Sequence, residues 1–329
     1  MSVRLPLAIE LGGFAVPEDG TIAVFHPRAD HDLSALPKER VLIVQPFRPD
    51  HDHFAALGYD CRAAWEDGTG AAAAVVFLPR AKALARMLIA QAAAATSGPV
   101  LIDGAKTEGI DSVLKDLRKR TAPSAPVSKA HGKVFWIEGG TELSDWLPGA
   151  PLDVEGFTTA PGVFSADGID PASRLLAEAL PQKLGATVAD LGAGWGYLSH
   201  AILQRAGVEA LHLVEADATA LDCAKLNVTD PRASFHWADA RSWRVPGPVN
   251  TVVMNPPFHS GRAAEPALGQ AFIAAAAQML APSGSLWMVA NRHLPYEAAL
   301  AASFAQVSET AGDNRFKVLH AAKPKRRRG

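Results

Sequence analysis

Residues 252–259, Val-Val-Met-Asn-Pro-Pro-Phe-His, constrain this chain more than any other stretch. The run 251–254 is apolar and β-branched and reads as a buried strand. Asn255-Pro256-Pro257 must end it, because proline has no ladder donor and fixes its own φ. In an open parallel sheet, ligands sit beyond the carboxyl ends of the strands. Asn255, Pro256 and Phe258 are therefore expected to line such a crevice.

The chemistry this stretch suits is methylation of a planar nitrogen. An exocyclic amino group is a poor nucleophile because its lone pair is delocalised into the adjoining π-system. Two acceptors placed against its two N–H groups favour a more tetrahedral nitrogen. The side-chain oxygen of Asn255 and the main-chain oxygen of Pro256 form such a pair, preorganised by the prolines. Phe258 and Pro257 then flank the planar substrate, with Phe258 stacking on its face, and His259 meets the base, meets a phosphate, or only supports the loop. The plainer reading is a Pro-Pro turn closing a strand, with Phe258 in the core.

Upstream, residues 187–191 form an apolar run containing Asp190, followed by Gly192-Ala193-Gly194-Trp195-Gly196 and a helical pattern over 197–206. Strand, glycine turn and helix make a nucleotide-cofactor site, because glycines admit a ligand to the backbone and the helix offers free N–H groups. The spacing is not that of a dinucleotide fingerprint, since the third glycine comes one residue early. A second strand, 211–214, ends at Glu215, placed to accept ribose hydroxyls. A third, 235–237, leads to Asp239, placed to receive an adenine amino group. Trp195 is bulky for such a loop and is expected to narrow the cofactor entrance.

These residues resemble the class I S-adenosylmethionine-dependent methyltransferases, in the subgroup that modifies amino nitrogens of bases or of glutamine. With Gly162-Val-Phe-Ser165 and Asp170-Pro-Ala-Ser173 included, residues 155–320 look most like the bacterial ribosomal RNA guanine-N2 methyltransferases of the RsmC type. The resemblance implies S-adenosylmethionine as cofactor, held by Asp190, Gly192, Gly194, Gly196, Glu215 and Asp239, with Phe164 and Asn255 bordering it. It implies a guanine held by Asn255, Pro256, Pro257, Phe258 and His259, and ribosomal RNA or a ribosomal subunit, most of all the small one, as substrate. A large-subunit guanine-N2 enzyme, a glutamine N5 methyltransferase, an adenine or DNA methyltransferase and a catalytically dead RNA-binding module share parts of the pattern. A nicotinamide dehydrogenase fits neither the glycine spacing nor the Asn-Pro-Pro segment.

The N-terminal half alternates strand signals (41–44, 74–78, 100–102, 133–137) with helical ones (80–95, 110–120), so a doubly wound α/β domain is expected there too. The order helix, strand, helix, strand over 80–135 repeats that over 268–319. This predicts two tandem doubly wound, Rossmann-like methyltransferase domains, residues 1–150 and 151–329. The first is degenerate, with neither a glycine loop nor Asn-Pro-Pro, and the resemblance gives it a role in RNA binding and support. The Gly- and Pro-containing stretch 138–159 marks the linker.

Charge limits the partners. Lysines and arginines number 32 against 34 acidic residues, for a formal net charge of −2, so contact with RNA must be local. Lys106, Lys115, Arg118, Lys119 and Arg120 form one basic cluster, and the end of the chain, Lys323-Pro-Lys-Arg-Arg-Arg-Gly329, another. Both read equally as solvated charge. Two distant cysteines, Cys61 and Cys223, and unpaired histidines give no metal-ligand spacing, so no metal is expected. With no apolar run of the ~18 residues a span needs and no apolar leader core, the expected place is the cytoplasm and not a membrane.

Overall fold

The computed structural model describes residues 3–325 apart from residues 12, 67–69, 246 and 258–265. The chain divides into two compact units, Met1–Pro151 and Leu152–Gly329. In the first, helix α1 (Arg4–Glu10) precedes strands β1 (Ile22–Phe25) and β2 (Val41–Val44), helix α2 (Arg48–Ala56), β3 (Asp60–Arg62) and β4 (Ala73–Phe77). Helix α3 (Lys82–Ala95), β5 (Pro99–Ala105), α4 (Ile110–Leu117), β6 (Val127–Lys129) and β7 (Gly132–Glu138) complete it. The second unit opens with a hairpin, β8 (Leu152–Val154) and β9 (Phe157–Thr159). Then come α5 (Pro171–Ala179), β10 (Thr187–Leu191), α6 (Tyr197–Leu203), β11 (Ala210–Glu215), α7 (Ala218–Asn227), β12 (Ala233–Trp237) and β13 (Val249–Met254). It closes with α8 (Pro266–Met279), β14 (Leu280–Asn291), α9 (Glu297–Ser303), β15 (Phe304–Gly312) and β16 (Phe316–Pro324).

The two seven-stranded sheets have one topology. The first runs β3-β2-β1-β4-β5-β7-β6 and the second β12-β11-β10-β13-β14-β16-β15. Strands are parallel up to β5 and β14, and the last two strands of each sheet pair antiparallel. The central strands are apolar along their whole length because helices cover both faces: Ile22 to Phe25, and Val252 to Met254, are fully buried. Pro282 is tolerated in β14 because it sits where the register against β13 jumps from Leu280 to Ser285. Short strands with weak signals, such as β1 and β3, and the β8–β9 hairpin inside the supposed linker were not evident in the sequence.

The registers show what the first copy lacks. Phe25 is level with Val44 and Val76, as Leu191 is with Val214 and, one residue beyond the Asp190 and Val253 pair, with Met254. Counting outward, Val24 stands where the second unit has Asp190, Gln45 where it has Glu215, and Phe77 where it has Asn255. His26-Pro27-Arg28 replaces the start of the glycine loop. The crevice is filled by its own residues: the His31 ring stacks on Phe77 at 4.1 Å, and buried Gln45 donates to the Pro27 carbonyl at 2.6 Å. Burial holds the His26 imidazole neutral, its pKa lowered to about 4.

The C-terminal end of the chain leaves the sheet far from Asn255. Since β16 runs antiparallel to β14, with Phe316 opposite Asn291 and Ala322 opposite Ser285, it carries the chain from the carboxyl edge back to the amino edge. There Lys325 donates to the Ala301 carbonyl. The rest of the basic tail, residues 326–329, lies outside the described residues. Among the described residues no helix is long and apolar enough to cross a membrane.

Candidate active site

The glycine loop after β10 is braced from below by a carboxyl group. Asp190 is fully buried, and one oxygen accepts from the Ser199 hydroxyl on α6 at 2.7 Å, tying the strand to the helix across the loop. Gly194 has a positive φ of 56° and no atom of the described residues within 4 Å of where a Cβ would stand, so it shows them bare backbone. A residue with a Cβ would cost about 1–2 kcal/mol there. At Gly196, φ +96°, a Cβ would meet Val228 at 3.0 Å, so that glycine is needed for close packing against the end of α7. Glu215 fixes the loop from β11: one carboxylate oxygen accepts from the Gly194 N–H at 2.7 Å and the other from the Asp217 N–H at 2.9 Å.

Trp195 is among the residues that line the cleft beside the glycine loop. Its side chain is buried, packs on Phe157 at 5.3 Å, and donates from the indole N–H to the Phe164 carbonyl at 2.9 Å. That bond fastens the Phe164 segment to the loop and leaves the Phe164 ring 58% exposed. Ser165, strained at φ +56°, is held by its hydroxyl bond to the Gly168 carbonyl.

Asn255 follows β13 directly, and its carboxamide is tied on one side. Its Nδ2 donates to Asp170 Oδ2 and to Ser173 Oγ, both at 2.9 Å. The same Asp170 oxygen caps α5 by accepting the Ser173 N–H at 2.8 Å. Asn255 Oδ1 is buried and has no hydrogen-bond partner among the described residues. Asp170 and Ser173, which the sequence offered only as part of the resemblance, both meet Asn255. Nothing in the sequence says that the Asp170 carboxylate reaches a strand end 85 residues away.

One cleft gathers Phe164, Gly192, Gly194 and Asn255 together with Asp170 and Ser173. Asp190 and Glu215 act on it from behind the loop. Asp239, at the end of β12, is engaged by Arg241, whose guanidinium reaches both carboxylate oxygens at 2.6 to 2.9 Å. Any ligand that hydrogen-bonds to Asp239 must share or displace that pairing. Pro256 is buried and Pro257 exposed, while Phe258 and His259 fall outside the described residues. Among the described residues no group of three or more His, Cys, Asp or Glu is placed to hold a metal ion.

Burial pushes the Asp190 carboxyl from the ordinary 3.8 up to about 7, with the Glu215 charge adding to the rise and the Ser199 hydrogen bond opposing it. The folded state therefore holds a proton on Asp190 that the unfolded chain gives up near pH 4. Stability from this group is full below that pH and is lost as pH rises through about 7. Asp190→Asn, which cannot ionise, is expected to lose less Tm than the wild type between pH 5 and pH 8, measured by thermal denaturation. Parallel Tm curves would contradict a neutral buried Asp190.

Comparison with known proteins agrees with this geometry. Residues 155–320 match the family model described as "Methyltransferase small domain". The chain is 32% identical over 260 residues to the ribosomal RNA small subunit methyltransferase C of Shewanella baltica, covering 75% of this chain and 74% of that protein. To the protein of the same name from Shewanella amazonensis it is 31% identical over 293 residues, covering 82% and 84%. The solved structure of the T. thermophilus 16S rRNA N2 G1207 methyltransferase, RsmC, in complex with AdoMet and guanosine, aligns with a TM-score of 0.79 at 26% identity. That alignment covers 94% of this chain and 90% of that one. The chain belongs to the methyltransferase small-domain family, within the ribosomal RNA small subunit methyltransferase C group.

Proposed function

We propose that this chain transfers a methyl group from S-adenosylmethionine to the exocyclic N2 amino group of a guanine in 16S ribosomal RNA, acting in the cytoplasm. The observation that carries the reading is Asn255 Oδ1 at the end of β13, buried and without a partner among the described residues, an acceptor whose own N–H groups are already engaged. The cofactor fits the residues present. Gly194 offers backbone without a Cβ, and each Glu215 oxygen, with one N–H accepted, keeps a lone pair for a ribose hydroxyl. Asp239 is assigned to the adenine amino group, Phe164 to the edge of the cofactor, and Phe258, Pro257 and His259 to the guanine.

S-adenosylmethionine supplies an electrophilic methyl group on a positively charged sulfur. The protein's contribution is position. Asn255 Oδ1 and the Pro256 carbonyl accept the two N–H groups of the guanine amine, which frees its lone pair for in-line attack. The nitrogen becomes acidic only as the N–C bond forms, so its proton leaves to solvent without a base acting beforehand. Alignment of this kind supplies ~7 kcal/mol or more of the barrier. A guanine in a stacked site must first be extruded from its neighbours.

The first unit, with its filled crevice, is assigned to RNA binding and support. The fold adds Lys82 and Arg86 of α3 to the cations Lys115, Arg118, Lys119 and Arg120 of α4 and the turn after it. Lys82, Arg86 and Lys119 all reach Asp116, Arg120 pairs with Asp145, and Arg86 and Arg120 both lie over the Trp146 ring at 5.4 and 5.3 Å. Against these six cations stand Asp116, Asp145 and Asp111 of α4, the last taken up by Lys133, which leaves a surface suited to phosphates.

Methyl transfer from labelled S-adenosylmethionine to ribosomal RNA from cells lacking this protein, followed by nucleoside analysis, is expected to yield N2-methylguanosine in the small-subunit RNA. Label in large-subunit RNA, in protein glutamine or nowhere would overturn the reading. Asn255→Ala is expected to lose turnover by at least about a hundredfold while cofactor affinity changes less than about twofold. Equal loss of both would remove Asn255 from the chemistry. Lys115→Ala combined with Arg118→Ala is expected to weaken RNA binding and flatten the salt dependence of log K by about 1.5, with kcat at saturating RNA unchanged. An unaltered slope would place the RNA on another surface.

A further inference from the structure

We propose that Asp170 and Ser173 are positioning residues for methyl transfer: they lock the Asn255 carboxamide so that its oxygen, not its nitrogen, faces the target amino group. The inference rests on the methyltransferase reading above and adds two residues to its machinery.

A carboxamide has two faces of nearly the same shape, one that accepts and one that donates. Rotation by half a turn about the side-chain bond exchanges them. With the oxygen forward, Asn255 accepts an N–H of the amine. With the nitrogen forward, two donors oppose each other and the amine cannot dock. An asparagine at the end of a strand has no intrinsic preference between these states.

The neighbours of Asn255 remove the choice. A carboxylate only accepts, so Asp170 Oδ2 at 2.9 Å demands an N–H from Asn255. Ser173 Oγ, also at 2.9 Å, takes the second N–H. Turning the carboxamide over would press its oxygen against a carboxylate oxygen at hydrogen-bond distance and leave two buried donors unmet. The bond to a carboxylate is moreover the stronger, charge-assisted kind.

The clamp is rigid because its parts are held by the fold. Asp170 is fixed by capping α5, and Ser173, three residues on, is buried on the helix beside Ala172 and Leu176, which pack into the core. The third helical position after a capping Asp commonly carries Glu, whose side chain turns back to the cap. Here it carries a serine whose hydroxyl serves Asn255 instead. The path therefore runs from core packing of α5, through Asp170 and Ser173, to one orientation of Asn255.

The test is a double-mutant cycle on the full chain with an activity-independent second arm. Ser173→Ala is expected to slow single-turnover methylation of ribosomal RNA about tenfold, with the affinities for RNA and S-adenosylmethionine unchanged. In the Asn255→Ala background the same substitution is expected to add no further loss. In asparagine-selectively 15N-labelled protein without RNA, the Asn255 side-chain NH2 is identified among five asparagines by its absence in Asn255→Ala. Its protons are expected to exchange with water about tenfold faster in Ser173→Ala. Equal slowing in both backgrounds, no slowing, or unchanged exchange overturns the proposal. If the wild type methylates no guanine, the functional reading fails, and the exchange rates still decide whether the clamp exists.

Discussion

One carboxylate oxygen, Asp170 Oδ2, joins the start of α5 to the end of β13 by accepting from Ser173 N–H and Asn255 Nδ2 together. The rest of the site depends on that junction. Parallel strands deliver Asn255 to the carboxyl edge of the sheet, but a strand end alone does not decide which way an amide points. The N-cap does, and a residue that stabilises a helix by about 1 kcal/mol thereby also sets the polarity of the reacting site. The glycine loop next to it is held on the same plan, with Asp190 fastened to Ser199 and Glu215 to the Gly194 N–H. In each case a carboxyl oxygen accepts from a neighbouring element.

The two sheets share one strand order, and the differences between them lie at strand ends. Val24, Gln45 and Phe77 stand where the second unit carries Asp190, Glu215 and Asn255, and a stacked His31 closes what would have been the crevice. These changes, with His26-Pro27-Arg28 in place of the glycine loop, fall at strand ends and leave the central strands of the first unit fully buried. A doubly wound core of this kind tolerates different residues at its strand ends, because packing rests on the strand interiors.

Much of this was legible in the sequence. Proline after a β-branched run marks the end of β13, glycines spaced two apart mark the loop, and apolar strand signals alternating with helical ones give a doubly wound fold. The side-chain contacts were not legible. Ser199 under Asp190, Arg241 on Asp239, and Asp170 with Ser173 on Asn255 depend on how α5, α6 and the turn after β12 pack, which local pattern does not encode. What holds Trp195 was hidden for the same reason: residue size is visible in a sequence, and the packing of Phe157 and Tyr197 around the ring is not. The cations of α3 likewise join those of α4 only once both helices are laid on the sheet.

The most direct measurement is a crystal structure of the full chain with S-adenosylmethionine and guanosine bound. The account predicts the guanosine N2 within hydrogen-bond distance, about 2.7–3.2 Å, of Asn255 Oδ1, with the Asn255 nitrogen still on Asp170 and Ser173. A carboxamide turned over, or a guanine bound away from the end of β13, would contradict it.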